Sequence, residues 1–93
     1  MRVRWTSKAR ANLRRLHRER SRFSIDSADE LVSRIGVRVR QLEAFPDSGR
    51  AVPEFSNDYI RELIEDGFRV IYERFPDRVE IIAIIPGQMS LEH

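Results

Sequence analysis

Tyr59-Ile60-Arg61-Glu62-Leu63-Ile64-Glu65-Asp66-Gly67-Phe68-Arg69-Val70-Ile71-Tyr72 is the stretch on which the fold of this 93-residue chain turns. Asp66-Gly67 is a two-residue turn signal, because a type I′ hairpin needs positive φ at both central positions and Asp and Gly tolerate that best. Two strands therefore meet there. On the second arm the strand period puts Phe68, Val70 and Tyr72 on one face and Arg69, Ile71 and Glu73 on the other. After a Pro-Asp turn comes the run Val79 to Ile85. It is apolar on both sides, with Val79, Ile81, Ala83 and Ile85 sharing one face, and predicts a strand in the sheet interior. Pro86-Gly87 ends it.

Upstream of the hairpin, Pro46-Asp47-Ser48-Gly49-Arg50 reads as a turn-rich loop and residues 51–58 as an irregular connection. Two helices precede them. Met1 to Trp5 forms a short strand, with Trp5 a core anchor, after which Thr6 or Ser7 caps a helix whose inner stripe is Ala9, Leu13, Leu16 and the stem of Arg20. Phe23-Ser24-Ile25 connects to a second helix, for which Ser27 and Glu30 have capping-box spacing. Its stripe is Ala28, Leu31, Ile35, Val39 and Leu42, flanked by Val32 and Phe45, and Pro46 ends it at Phe45. Gly36 inside this helix would be accounted for by a close helix crossing. The order β-α-α-β-β-β predicts an α+β fold, a mainly antiparallel sheet with an α-helical hairpin packed on one face. The other face is expected to be concave or covered by a partner.

Composition narrows the function classes. With 41% apolar and 34% charged residues the chain reads as one domain over residues 1–90, and Leu91-Glu92-His93 as the remnant of an expression tag. No apolar run approaches the ~20 residues of a membrane helix, and no secretory signal is visible. The expectation is a cytoplasmic protein that touches no membrane. Without cysteine, and with His17 and His93 the only histidines, no metal and no cofactor is expected. The net charge of +2 conceals a division: residues 1–22 hold nine basic groups against Glu19 alone, and the remainder is net −6. Such a basic block suggests a nucleic-acid or acidic-protein partner, or else a solvated helix exterior.

Trp5 and Ala9 at the strand-to-helix start, Pro46 with Gly49-Arg50, Arg61-Glu62-Leu63, and Gly67-Phe68-Arg69-Val70-Ile71-Tyr72 follow one another in this order. In combination they resemble the RelE/ParE toxin superfamily of bacterial type II toxin-antitoxin modules, over nearly the whole chain. The resemblance implies one of two branches: ribosome-dependent messenger-RNA endonucleases like RelE, or ParE-like poisons of DNA gyrase associated with plasmid stabilisation. Metal-free RNA cleavage needs groups that move protons and hold a charged phosphorane. Where the nuclease branch places basic residues, this chain has Ile60 and Glu62, and its tail reads Pro86-Gly87-Gln88-Met89-Ser90. That points to the ParE-like branch, with the nuclease and a non-toxic, degenerate toxin acting as a binding module as alternatives.

The resemblance also implies partners: a cognate antitoxin, DNA gyrase as target, and DNA only indirectly through the antitoxin complex. Arg69 is the one family-matching catalytic candidate, and with Arg50 and Arg61 it is a candidate for target binding. Two readings of Arg69 stay open, a contact to gyrase or phosphate and an ion pair with Glu62 or Glu73. Arg61 is expected to pair with a nearby acid. Leu13, Arg14, Leu16, Arg18 and Arg22 are the candidates for antitoxin binding, as an apolar groove bordered by positive charge. Tyr72 reads as core and His17 as a surface group.

Overall fold

The computed structural model describes residues 1–89. β1 (Arg2–Trp5) leads into α1 (Ser7–Ser21) and α2 (Ile25–Gln41), followed by β2 (Arg50–Ala51), β3 (Ile60–Glu65), β4 (Phe68–Arg74) and β5 (Arg78–Pro86). The sheet order is β1-β5-β4-β3-β2, antiparallel throughout except that β1 runs parallel to β5. The expected α+β architecture is present, with β5 inside the sheet as its two-sided apolar run requires. The added strand is β2, only two residues long, in what reads in sequence as loop. The expectations for Ser90 and for 91–93 lie outside the described residues.

The β3–β4 hairpin turns at Asp66 (φ 51°) and Gly67 (φ 80°), the double positive φ of a type I′ turn. Its register pairs Leu63 with Val70 and Glu62 with Ile71. Leu63, Val70 and Tyr72 thus face the helices. There they join Ala9, Leu16, Leu31, Ile35, Val39, Leu42, Val79, Ile81 and Ile84 in the main core, with Trp5 packed against it.

The face expected for β5 holds only to Ile81. Tyr72 pairs with Ile81 while the next residue back, Ile71, pairs with Ala83, so Ile82 is an extra residue, a β-bulge. Past it the alternation reverses. Ile84 points to the helices, whereas Ala83 joins Ile71 and Val52 in a second, smaller cluster with Phe55, Ile60, Ile82 and Ile85 packed against it. The far face of the sheet is therefore covered in part by the chain's own segment around Val52 and Phe55. The bulge escapes a reading of alternation because both registers bury isoleucines.

Helix boundaries also move. Thr6 caps α1 through its side chain, but α2 is capped by Ser24, whose hydroxyl accepts from Ser27 N–H at 3.1 Å, so the capping box expected at Ser27 and Glu30 does not form. The connector lies one residue earlier than expected, at 22–24, where Phe23 and Ser24 both donate to Arg20 O at the end of α1. At its other end α2 stops at Gln41, not Phe45. There the chain tightens into three-residue turns, Leu42 N–H to Val39 O and Glu43 N–H to Arg40 O, before proline acts. Phe45 is left exposed. No close crossing explains Gly36, since a Cβ there would meet only the Arg40 guanidinium at 3.6 Å.

Both flanks of the sheet are closed by side chains. Beyond β1, Asn12 Oδ1 accepts Ile84 N–H at 3.0 Å, and Pro86 has no N–H to offer. Beyond β2, Arg38 donates to Ile64 O at 3.2 Å. Open strand edges invite pairing with other chains, and here α1 and α2 each supply a side chain against it.

Candidate functional site

Arg69 stands on β4 facing away from the helices, on the same side of the sheet as Glu62 and Ile71. Its Nε donates to Glu62 Oε1 at 2.6 Å, and its two terminal nitrogens grip both oxygens of Glu54 at 2.8 Å each. Nη1 also donates to Met89 O at 2.9 Å. Four of the five N–H groups of the guanidinium are thereby engaged. Glu62 in turn accepts from Arg50 Nε at 2.7 Å through its other oxygen. Glu62 is 1% exposed and Arg69 5%, so the central pair is held out of water.

Two arginines meet two glutamates in this chain of contacts, and the charge closes on itself. Hydrogen bonding to Glu54 foremost, with Glu62 adding to it, raises the Arg69 pKa above its ordinary value against the opposing effect of burial. Of the two readings left open for Arg69, the ion pair with Glu62 is the one observed. Glu73 is not the partner, because it sits two residues beyond Ile71 and opposite Ile60 and Glu80. Glu54 could not be foreseen from strand periodicity, since it reaches Arg69 from the irregular segment and is 15 residues away in sequence.

Arg61 lies on the opposite face and does not pair with an acid as expected. Its Nη1 donates to Gly49 O at 2.8 Å and Asp47 O at 3.3 Å, which ties down the loop before β2, while its Nε is buried without a hydrogen-bond partner. Gly49 N–H donates to Tyr72 Oη at 2.8 Å, and burial raises the Tyr72 pKa. A Cβ on Gly49 would stand 2.6 Å from Tyr72 Oη and 2.8 Å from Glu62 O, so the backbone passes where a side chain cannot. Arg50, Arg61 and Arg69 therefore do not form one surface: Arg69 is buried, Arg61 secures a loop, and Arg50 alone exposes most of its side chain.

A recess of about 310 Å³ beside Arg69 is lined by Arg50, Pro53, Glu54 and Met89. A groove of about 790 Å³ does not include Arg69. It lies between Tyr59, Arg61, Glu73, Arg74 and Phe75 and carries charges of both signs.

On the helical layer, Leu13, Arg14, His17 and Val32 line a shallow groove of about 330 Å³, and His17 Nε2 lies 2.8 Å from Asp29 Oδ1. Two of the candidates for antitoxin binding fit this groove and three do not. Leu16 is buried in the core. Arg18 and Arg22 are exposed, yet they follow Leu13 by five and nine residues. At 3.6 residues per turn that is about 140° and about 180° around the helix, so they project away from it.

The overall likeness to a solved structure concerns the fold. A chain of the chromosomal ParDE TA system from P. aeruginosa matches with a TM-score of 0.78 over 92% of this chain and 95% of that chain, at 21% identity. No curated protein matches the sequence. The family itself is given by a sequence model described as the ParE toxin of the type II toxin-antitoxin system, parDE, which matches residues 3–91. The chain belongs to that ParE toxin family.

Proposed function

We propose that this protein is a cytoplasmic ParE-like toxin that inhibits DNA gyrase and is neutralised by a cognate antitoxin, reaching operator DNA through the antitoxin complex. Family membership supplies the toxin reading. The observation that favours gyrase over messenger RNA is the state of Arg69. A phosphorane intermediate gathers negative charge and needs an uncompensated cation beside it, whereas Arg69 already spends its donors on Glu62 and Glu54. Tyr72, the family-matching tyrosine, faces the helices and binds Gly49 N–H. It is not aimed at the Arg69 recess.

For the antitoxin, the groove at Leu13, Arg14 and Val32 supports docking of a segment that sets apolar side chains between α1 and α2 and an acid against Arg14. Leu13→Asp should abolish complex formation, and an undiminished complex would exclude this groove. For the target, the chain is induced alone in bacteria, and purified protein is assayed for gyrase supercoiling and for ribosome-dependent mRNA cleavage. Growth arrest with loss of supercoiling is expected. Cleavage would overturn the reading in favour of the nuclease, and the absence of both would favour a binding module.

A further inference from the structure

Lys8, Arg15, Arg18 and Arg22 follow one another at intervals of seven, three and four residues along α1 and its C-cap, where Arg22 keeps helical backbone angles, and all four are exposed. Intervals of three, four and seven return to one side of a helix, so these four form a single stripe with Ala11 between them. From Lys8 to Arg22 the stripe runs about 21 Å, at ~1.5 Å per residue. Glu19 is the one acid in α1, bound to Arg15 at 3.2 Å. Lys8, Arg18 and Arg22 stand in no ion pair among the described residues. The stripe ends at Phe23, on the tip of the helical hairpin, 89% exposed, with Ile25 beyond it 66% exposed.

We propose that this stripe and its aromatic tip bind duplex DNA directly, the cations along the phosphate backbone and Phe23 against a base step. Linear positive charge with no apolar residue larger than alanine matches a polyanion. A protein partner would call for an apolar centre with charge at its rim, which the Leu13–Val32 groove on another side of α1 offers and this stripe does not. Phosphates follow each other every ~3.4 Å along each strand, so ~21 Å of helix spans about six. Apolar side chains beside arginines insert between base steps in minor-groove binders, which is the setting of Phe23. The contact would be additional to any made through an antitoxin.

The test is fluorescence anisotropy of a labelled 20-base-pair duplex with the full chain, between 50 and 200 mM salt. Four phosphate contacts give a slope of log affinity against log salt of about −3.6. Arg18→Gln with Arg22→Gln should flatten the slope by about 1.8 and weaken binding at least tenfold. The same loss of charge on α2, Arg34→Gln with Arg40→Gln, should leave the slope within about 0.5 of the parent; equal effects from the two pairs would reduce the binding to net charge and overturn the proposal. Phe23→Ala should weaken binding severalfold at constant slope, and an unaltered affinity would remove the tip from the site. Polyglutamate titrated at equal charge concentration should bind more weakly than the duplex. Tighter binding of polyglutamate would assign the stripe to an acidic protein instead. Circular dichroism and urea unfolding on each variant confirm that the fold is retained.

Discussion

The arginines on the sheet and those on α1 are chemically the same and have opposite fates. On the sheet, Arg69 is buried against two carboxylates and a carbonyl, and Arg50 and Glu62 extend the same chain of contacts. In the last turn and the C-cap of α1, Arg18 and Arg22 face solvent and stand in no ion pair among the described residues. A buried charge must be compensated where it stands, whereas an exposed one is compensated by water until a partner arrives. In this fold the arginine that looks most catalytic by its position in the sequence thus has its donors engaged within the protein, whereas Arg18 and Arg22 present theirs to solvent.

The contrast is broken most directly at Glu62. Glu62→Ala leaves Arg69 half-paired out of water and strips Arg50 of its acid, and removing one partner of a buried pair costs about 3–5 kcal/mol. For a domain of this size, 1 kcal/mol corresponds to roughly 4–8 °C in Tm. A melting point at least ~12 °C lower is therefore expected, and a fall of under ~4 °C would mean that Arg69 is not structurally committed. Arg69→Met combined with Glu62→Leu should recover part of the loss, since an apolar pair of similar size avoids desolvating ions.

Next in size is Gly49→Ala. The new methyl would meet Tyr72 Oη at 2.6 Å and Glu62 O at 2.8 Å, and the second of these is backbone that cannot swing aside. Overpacking of this kind costs about 1–3 kcal/mol, to be read from urea unfolding. Because Glu62 sits at this contact, the substitution also disturbs the register of Arg50 with Glu62, and a variant as stable as the parent would show that the loop is free to lift.

What could be read from sequence here follows from the range of the interaction. The Asp66-Gly67 turn, the helix stripes as far as Val39 and the interior place of β5 are local patterns, each set by a period or a turn chemistry, and each is present as read. The bulge at Ile82 left no mark because every candidate residue is apolar. Ser27 with Glu30 offers the fuller capping motif in sequence, yet Ser24, its own N–H already tied to Arg20 O at the end of α1, caps α2. Glu62 could be named as a partner of Arg69, being one cross-strand diagonal away. Glu54 could not, since its position depends on how residues 52–58 fold over Ile71. Arg18 and Arg22 are a case of another kind: the helical wheel alone places them away from the Leu13 groove, so their charge and the groove's apolar lining belong to different sides of the helix.

Tyr72 gives a smaller, pH-dependent signal from the sheet. Burial raises its pKa in the folded state, so between the unfolded value, about 10, and the higher folded value the unfolded chain has released a proton that the native one retains. Stability is then full below about pH 10 and declines as pH rises through that window, the sign required when the unfolded state binds fewer protons. Tyr72→Phe should remove this decline in unfolding experiments from pH 9 to 11. At neutral pH it should cost about 1–3 kcal/mol, the range for a buried donor left unpaired, here Gly49 N–H. A parent protein whose stability is flat across that range would indicate that the phenol reaches water.

The smallest expected effect on stability is at α1, and there the smallness is the point. Arg18→Gln and Arg22→Gln remove two exposed cations that stand in no ion pair among the described residues, and surface changes of this sort stay within about 0.5 kcal/mol. Removing them relieves like-charge repulsion along the stripe, roughly a few tenths of a kcal/mol, and gives up a comparable attraction of cations to the C-terminal end of α1. The two oppose each other, so the net change should lie near zero, in contrast to that at Glu62, and it should shrink further as added salt screens both. A destabilisation above ~1 kcal/mol would mean that these arginines hold the helix pair together, and the division between a self-compensated sheet and an open basic helix would no longer stand.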